Sequence, residues 1–147
     1  MRRAAAAAVI VVGMIVAGSA CGSSDDTGLS KADFIAQADA ICKKYNDLSI
    51  KATSGLKNPT DADLVTAIKT KIVPLLPKQE AELRSLKPPK ADRAVVKQFL
   101  DTLQKASDDL ANDTAAMVKT KGASANVAAV SAQSAAYGFK VCGAGGS

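Results

Sequence analysis

The sequence of 147 residues contains no histidine and no tryptophan, and it has only two tyrosines and three phenylalanines. The absence of histidine excludes His-based acid–base catalysis, the usual catalytic triads and most catalytic zinc and haem sites. Because aromatic residues are scarce and no dense basic block occurs, a nucleic-acid-binding surface is not expected. Neither a glycine-rich phosphate loop nor a Cys-x-x-Cys redox motif is present. The sequence therefore predicts a protein that is not an enzyme and that needs no cofactor.

The first twenty residues differ in kind from the rest. Arg2 and Arg3 precede an uncharged apolar run over residues 4–20, which ends in small residues. This order is typical of a secretory signal peptide that is removed from the mature protein. The alternative is a retained membrane span, for which a run of 17 residues is at the short limit. We assign residues 1–20 to a signal peptide and expect the protein to be exported.

Cys21 follows this run directly and begins a polar stretch. Residues 18–21 read GSAC, which is similar to the bacterial lipobox, in which the cysteine is lipidated and becomes the first residue. The pattern departs from the lipobox at Gly18, where leucine is usual. Lipidation of Cys21 would anchor the chain to the outer face of the membrane, with residues 21–29 as a flexible tether. The alternative is a secreted protein in which the thiol of Cys21 is free.

Two further cysteines, Cys42 and Cys142, remain in the expected mature chain. An even pair in an exported protein predicts a disulfide bond, and the alternative is two buried thiols. The bond would close a loop of about 100 residues, for which the chain-entropy model gives ~4–5 kcal/mol of stabilisation.

Apolar residues recur at helical spacing in four segments between the tether and the C-terminal tail. Ser30 and Thr60 each stand three residues before an aspartate, which is typical of helix N-caps. The first helix should end near residues 53–55, and the third should run from Ala91 to Lys119. The residues expected on the buried faces of these two helices are Phe34, Ala38, Ile41, Tyr45 and Leu48, then Val96, Phe99, Leu103, Ala106, Leu110 and Met117.

Pro74 and Pro77 interrupt the second segment. Each proline lacks an amide donor and crowds the preceding turn. The sequence therefore predicts either a kinked second helix or two helices, the later of which starts near Pro77.

The fourth segment, residues 124–142, is rich in alanine and serine. Ser131, Ala135, Gly138 and Cys142 follow one another at spacings of 4, 3 and 4, so we expect one helix with a stripe of small side chains. Such a stripe would bring this helix close enough to Cys42 for a disulfide. The predicted fold is all-α: an antiparallel up-down four-helix bundle over residues 30–142, followed by a disordered tail over residues 143–147.

The chain resembles a group of small actinobacterial exported lipoproteins. The resemblance rests on the lipobox-like cysteine and on three stretches, FIAQADAICKKYN, IVPLLPKQEAELRSLKPP and AYGFKVCG. It covers residues 30–143 and implies a helical exported domain in which Cys42 pairs with Cys142. It implies no activity.

Other chemically notable side chains have ordinary interpretations. The acid pairs at residues 61 and 63 and at residues 108 and 109 are typical of helix starts and solvated faces rather than of a metal site. Glu80 and Glu82 are expected to pair in solvent with Lys78 and Arg84. Two tyrosines, at positions 45 and 137, are expected to pack in the core, the alternative being that they face each other near the disulfide.

These observations favour a non-catalytic lipoprotein of the cell envelope, a helical module that binds a protein or wall partner. Without Arg2 and Arg3 the formal net charge falls from +5 to +3, which is typical of a solvated surface. The alternative is a carrier or sensor that holds a small apolar ligand inside the bundle. A contiguous exposed apolar patch would favour the module, and a single internal apolar pocket above ~300 Å³ would favour the carrier.

Overall fold

The structure is a computed structural model that describes residues 28–122 and 124–143. Every regular element in these residues is helical, so the all-α class is confirmed for them. The α-helices are α1 (Lys31–Thr53), α2 (Asp61–Ala67), α3 (Leu76–Ser85), α4 (Arg93–Asn112), α5 (Thr114–Lys119) and α6 (Ala125–Tyr137). None of the described helices is long and apolar enough to cross a membrane. The signal peptide, Cys21 and residues 144–147 lie outside the described residues.

Both predicted N-caps are present. The Ser30 hydroxyl accepts a hydrogen bond from the Asp33 amide at 3.1 Å, which satisfies a donor that has no partner within the helix. At the start of α2, Thr60 and Asp63 cap each other, since each side chain accepts the other residue's amide hydrogen. The Thr60 hydroxyl also donates to the Asp63 carboxylate at 2.7 Å, and this bond, together with the one from the Thr60 amide, lowers the pKa of Asp63. The first helix ends at Thr53, within the predicted range.

The helical hydrogen bonding changes twice between α2 and α3. A π-helical turn (Ile68–Ile72) is followed by a 3-10 turn (Val73–Leu75), which contains Pro74. Pro77 lies in the first turn of α3, a position at which proline is common because its fixed φ suits the start of a helix. The α-helix therefore starts again one residue before Pro77. A kink in the helix axis stays a prediction.

The third predicted helix is divided, so the expectation of one helix from Ala91 to Lys119 is wrong. Asp113 has φ −115° and ψ 34°, which ends α4 and begins α5. The next residue, Thr114, is fully buried, and its hydroxyl donates to the carbonyl of Leu110. A hydroxyl that bonds to a carbonyl four residues earlier competes with the backbone ladder. The break allows α5 to contact α2.

The fourth predicted helix ends at Tyr137, so the expectation that it continues to Cys142 is wrong. Gly138 adopts a left-handed conformation with φ +106°, which is a common way for a helix to end. The predicted stripe does not form, because Ala135 is exposed and Ser134 is buried in its place. Beyond Gly138 the chain turns back, and Phe139 enters the core.

The core lies where α1, α3, α4 and α6 meet. α1 contacts α3, α3 contacts α4, and α4 contacts α6. Four aromatic rings close one end of the core: Phe34 lies edge-on to Tyr137 with centroids 6.0 Å apart, and Phe139 lies 5.1 Å from Phe99. The other buried members include Ala38, Leu83, Val96, Leu100, Ala106 and Val130.

Replacing Gly138 by alanine is expected to lower the free energy of unfolding by about 1–2 kcal/mol, because a Cβ disfavours the left-handed conformation. Steric clash adds little, since the new Cβ would lie 3.6 Å from its nearest neighbour, Ile35 Cδ1. Gly55→Ala is the matched control, since nothing lies within 4 Å of a Cβ there. Urea denaturation of the two variants measures the difference, and equal midpoints would contradict the account of this turn.

Candidate functional site

A disulfide bond joins Cys42 of α1 to Cys142, as the even pair of cysteines predicts. The two Cα atoms are 5.3 Å apart, and both residues are buried. The bond fixes residues 138–143, which we call the C-terminal strap, against the middle of α1. Because the strap is not helical, the seam of small residues expected between two helices is not what permits the bond.

Asp39 holds the same strap through its carboxylate. One oxygen accepts the amide hydrogen of Lys140 at 2.8 Å, and the other accepts those of Val141 and Cys142 at 2.9 and 3.0 Å. Asp39 precedes Cys42 by nearly one helical turn, so the carboxylate and the disulfide lie on the same side of α1. Sequence reasoning missed this role. The available signal was the acid three residues before a cysteine on an otherwise apolar face.

The serines of α6 hold the other side of the strap. The hydroxyl of Ser131 donates to the carbonyl of Gly143 at 2.7 Å, and the buried Ser134 donates to the carbonyl of Cys142. A Cβ on Gly143 would lie 2.6 Å from Ser134 Oγ, and φ is +76° there. The small residues of α6 therefore make room for the strap rather than for α1.

A cavity of about 310 Å³ lies beside the disulfide, between the strap and the four core helices. We call it the disulfide cavity. It borders both cysteines and is lined mainly by apolar side chains, with three polar residues among them. The apolar lining includes Phe99, Leu103, Leu110, Val127 and Val130, and the polar residues are Asn46, Gln79 and Ser131. Its volume is at the lower end of the range for small-molecule sites.

Neither of the two features that would separate the module from the carrier is found in the expected form among the described residues. Other cavities of similar size, up to about 380 Å³, occur in the described residues, so the disulfide cavity is not a single internal pocket. Leu48, Ile50 and Val95 are 40, 64 and 54% exposed. The first two lie near the end of α1, whereas Val95 lies at the start of α4.

Glu82 does not pair as predicted. Its carboxylate accepts from the Lys44 ammonium at 2.6 Å and from the Tyr45 hydroxyl at 2.7 Å, whereas Arg84 pairs with Glu80 as expected. The hydrogen bonds from Lys44 and Tyr45 lower the pKa of Glu82. Burial, together with the hydrogen bond to Glu82, raises the pKa of Tyr45. This contact could not be predicted from local spacing, because residues 44 and 82 lie on different helices.

Replacing Glu82 by glutamine is expected to weaken the pH dependence of stability in acid. The folded pKa of Glu82 is depressed, so its contribution is present near neutral pH. That contribution is lost as the pH falls through the folded pKa, below the ordinary value of about 4.3. Denaturation midpoints at about pH 7 and pH 3 should therefore differ less in Glu82→Gln than in the wild type. Asp47→Asn, which removes an exposed partner of Lys43, is the control. An unchanged difference in Glu82→Gln would contradict this assignment.

The remaining predicted side chains are placed in ordinary roles. Tyr45 and Tyr137 are both buried and do not pair with each other, since the hydroxyl of Tyr137 donates to Asp92 at 2.8 Å. Asp109 accepts from Ser124 and Asn126, which fixes the start of α6. No group of three or more potential metal ligands is found among the described residues.

Comparison with protein-family models, with curated proteins and with solved structures gives no significant match to this chain.

Proposed function

We propose that the chain is a lipid-anchored protein of the cell envelope that acts by binding rather than by catalysis. The observation that carries this proposal is the buried disulfide between Cys42 and Cys142. Disulfides persist in oxidising compartments and are rare in the reducing cytosol. In this proposal residues 1–20 direct export and are removed, and Cys21 carries a diacylglyceryl group on the outer face of the membrane.

The start of the described domain suits such an anchor. Gly28 follows Cys21 by seven residues, which span at most about 25 Å when extended. The Leu29 amide donates to the Lys87 carbonyl at 2.9 Å, which ties the start of the domain to the loop between α3 and α4. In the proposed arrangement α1, α3, α4 and α6 form an antiparallel up-down bundle with this end toward the membrane. The successive contacts of these four helices support that order.

Changing Cys21 tests the anchor directly. Cys21→Ser is expected to move the protein from the membrane fraction of the native cells to the medium. Ser24→Ala, in the same polar stretch, is the control, and it should leave membrane association unchanged. Membrane association that persists in Cys21→Ser would overturn the anchor and favour an uncleaved apolar segment.

A second candidate function is transport or sensing of a small apolar ligand, and the disulfide cavity favours it. The cavity is about 310 Å³ in volume and lies among core residues from four helices. The cavity is partly open to solvent, so a small apolar ligand could enter it and contact its apolar lining. We propose that this cavity is where such a ligand would be held.

Filling the disulfide cavity is expected to abolish the binding of small apolar molecules. Benzene should raise the melting temperature of the wild-type protein, because a ligand that binds only the folded state stabilises it. Val127→Phe places a ring in the cavity lining and should remove that rise. Ala128→Phe places the same ring one residue further, at an exposed position, and should retain it. A wild-type protein that benzene does not stabilise would refute the carrier.

A further inference from the structure

A second pocket, of about 260 Å³, lies at the tether end of the domain and differs in chemistry from the disulfide cavity. It is lined by the start of α1, the first turns of α4 and the last turns of α6. We call it the Lys31–Asp92 pocket, after the cation and the carboxylate that line it. Its lining includes neither cysteine of the disulfide, and a ligand there does not depend on the anchor in the proposed function.

One tyrosine holds the two charged groups of this pocket. The Lys31 ammonium lies 4.4 Å from the centroid of the Tyr137 ring, and the Tyr137 hydroxyl donates to Asp92 Oδ2 at 2.8 Å. Lys31 and Asp92 do not form an ion pair with each other. The pocket therefore presents a positive and a negative group that are separated by an aromatic ring.

Two amide side chains, those of Gln98 and Gln133, also line the pocket. Gln133 donates from Nε2 to Thr102 Oγ1 at 3.2 Å. The Thr102 hydroxyl hydrogen is already given to the carbonyl of Gln98, so Thr102 must accept here, and this fixes the orientation of the Gln133 amide. The other atom, Gln133 Oε1, is buried and has no donor among the described residues. Because this oxygen is closed off from solvent, it does not face the open pocket, and the pocket's polar chemistry comes from Lys31 and Asp92.

The remaining lining of the pocket is apolar. The ring of Phe99 and the side chains of Val95 and Ala136 border it. Val95 is more than half exposed, which is unusual for a large apolar residue in this domain. A short aliphatic group placed against these three residues would be removed from water.

We propose that the Lys31–Asp92 pocket binds a small zwitterion with a short aliphatic side chain, of the class of α-amino acids and short peptides. The ligand carboxylate lies at Lys31 and its ammonium group at Asp92. The side chain contacts Val95, Phe99 and Ala136. Opposite charges at both ends make the site selective, because a ligand with one charge leaves the other partner unpaired.

The test is a titration of the ¹⁵N-labelled full-length chain with four probes, followed by NMR. Leucine and glycyl-leucine carry both charges. Two analogues of leucine lack one charge each: 4-methylpentanoate has no ammonium group, and 3-methylbutylamine has no carboxylate. With at least one zwitterion, the chemical shifts of the Gln98 and Gln133 side-chain amides are expected to change and to reach a plateau as the probe concentration rises. Each analogue should bind at least about tenfold more weakly. The zwitterion that binds more tightly distinguishes a free amino acid from a peptide.

Two variants test which residue binds each charged group of the ligand. Lys31→Met should weaken the binding of the zwitterion but leave the affinity for 3-methylbutylamine unchanged. Asp92→Asn should weaken the binding of the zwitterion but leave the affinity for 4-methylpentanoate unchanged. Lys51→Met, at the other end of α1, is the matched control and should bind as the wild type does. Thermal melting of each variant confirms that it is folded. Equal binding of zwitterions and analogues would overturn the proposal, and so would the absence of saturable shifts at Gln98 and Gln133.

Discussion

Cys42→Ser is expected to lower the free energy of unfolding by about 4–5 kcal/mol, the largest effect of any single change considered. The bond joins residues 100 apart in sequence, and cross-linking a loop of that length removes much of the entropy of the unfolded chain. For a domain of this size the melting temperature should fall by about 15 °C or more. Thermal and urea denaturation of the oxidised wild type and the variant measure the change.

Three control variants separate the effect of losing the bond from the effect of losing a thiol. Cys142→Ser and the double variant Cys42→Ser/Cys142→Ser should be as unstable as the single variant, since all three lack the same bond. Cys21→Ser should keep wild-type stability, because Cys21 takes no part in this bond. A loss below about 1 kcal/mol in Cys42→Ser would contradict the role given to the disulfide.

Asp39→Ala is expected to lower the free energy of unfolding by about 2–4 kcal/mol. Its carboxylate accepts hydrogen bonds from three successive backbone amides of the strap, and hydrogen bonds to charged groups are stronger than neutral ones. The expected loss of stability is smaller than the sum of three hydrogen bonds to a charged group. Because Lys140 is exposed, its amide can bond to water when the carboxylate is removed. The amides of residues 140–142 should also exchange with solvent much faster in the variant.

Asp47→Ala is the matched control, since it removes a carboxylate from the same helix. Asp47 pairs with Lys43, and both side chains are about two-thirds exposed, so the expected loss is below about 0.5 kcal/mol. If Asp39→Ala were as mild as this control, the strap would be held by the disulfide and the α6 serines alone.

Local features of the fold could be predicted from the sequence because their causes lie within a few residues. Ser30 and Thr60 cap the helices that follow them, since a side chain three residues from an amide needs no distant partner. The pairing of Cys42 with Cys142 could be predicted for a different reason: the expected mature domain offers no other pair.

Features that depend on distant residues could not be predicted. The small residues of α6 indicated close packing, but their partner is the strap rather than α1, because Gly138 ends the helix early. The spacing of Gly138 suits a packing residue within a helix, although glycine also commonly ends one. The break at Asp113 accompanies the burial of Thr114, which depends on the tertiary packing of that residue.

In the candidate sites, too, only the features with a simple sequence signal could be predicted. The disulfide could be expected from the cysteines, but the cavity beside it depends on side chains from four helices and the strap. The Lys31–Asp92 pocket gave no sequence signal, because its two charged residues are 61 positions apart and meet only through Tyr137.

The most direct test of the account is the intact mass of the protein extracted from its native membrane. The expected result is a chain that begins at Cys21 and carries a diacylglyceryl group. It should be lighter by two hydrogens than the reduced chain, and a thiol reagent should leave it unchanged until the disulfide is reduced. An unmodified chain, a chain that retains residues before Cys21, or alkylation without prior reduction would contradict the proposal of an anchored, disulfide-linked envelope protein.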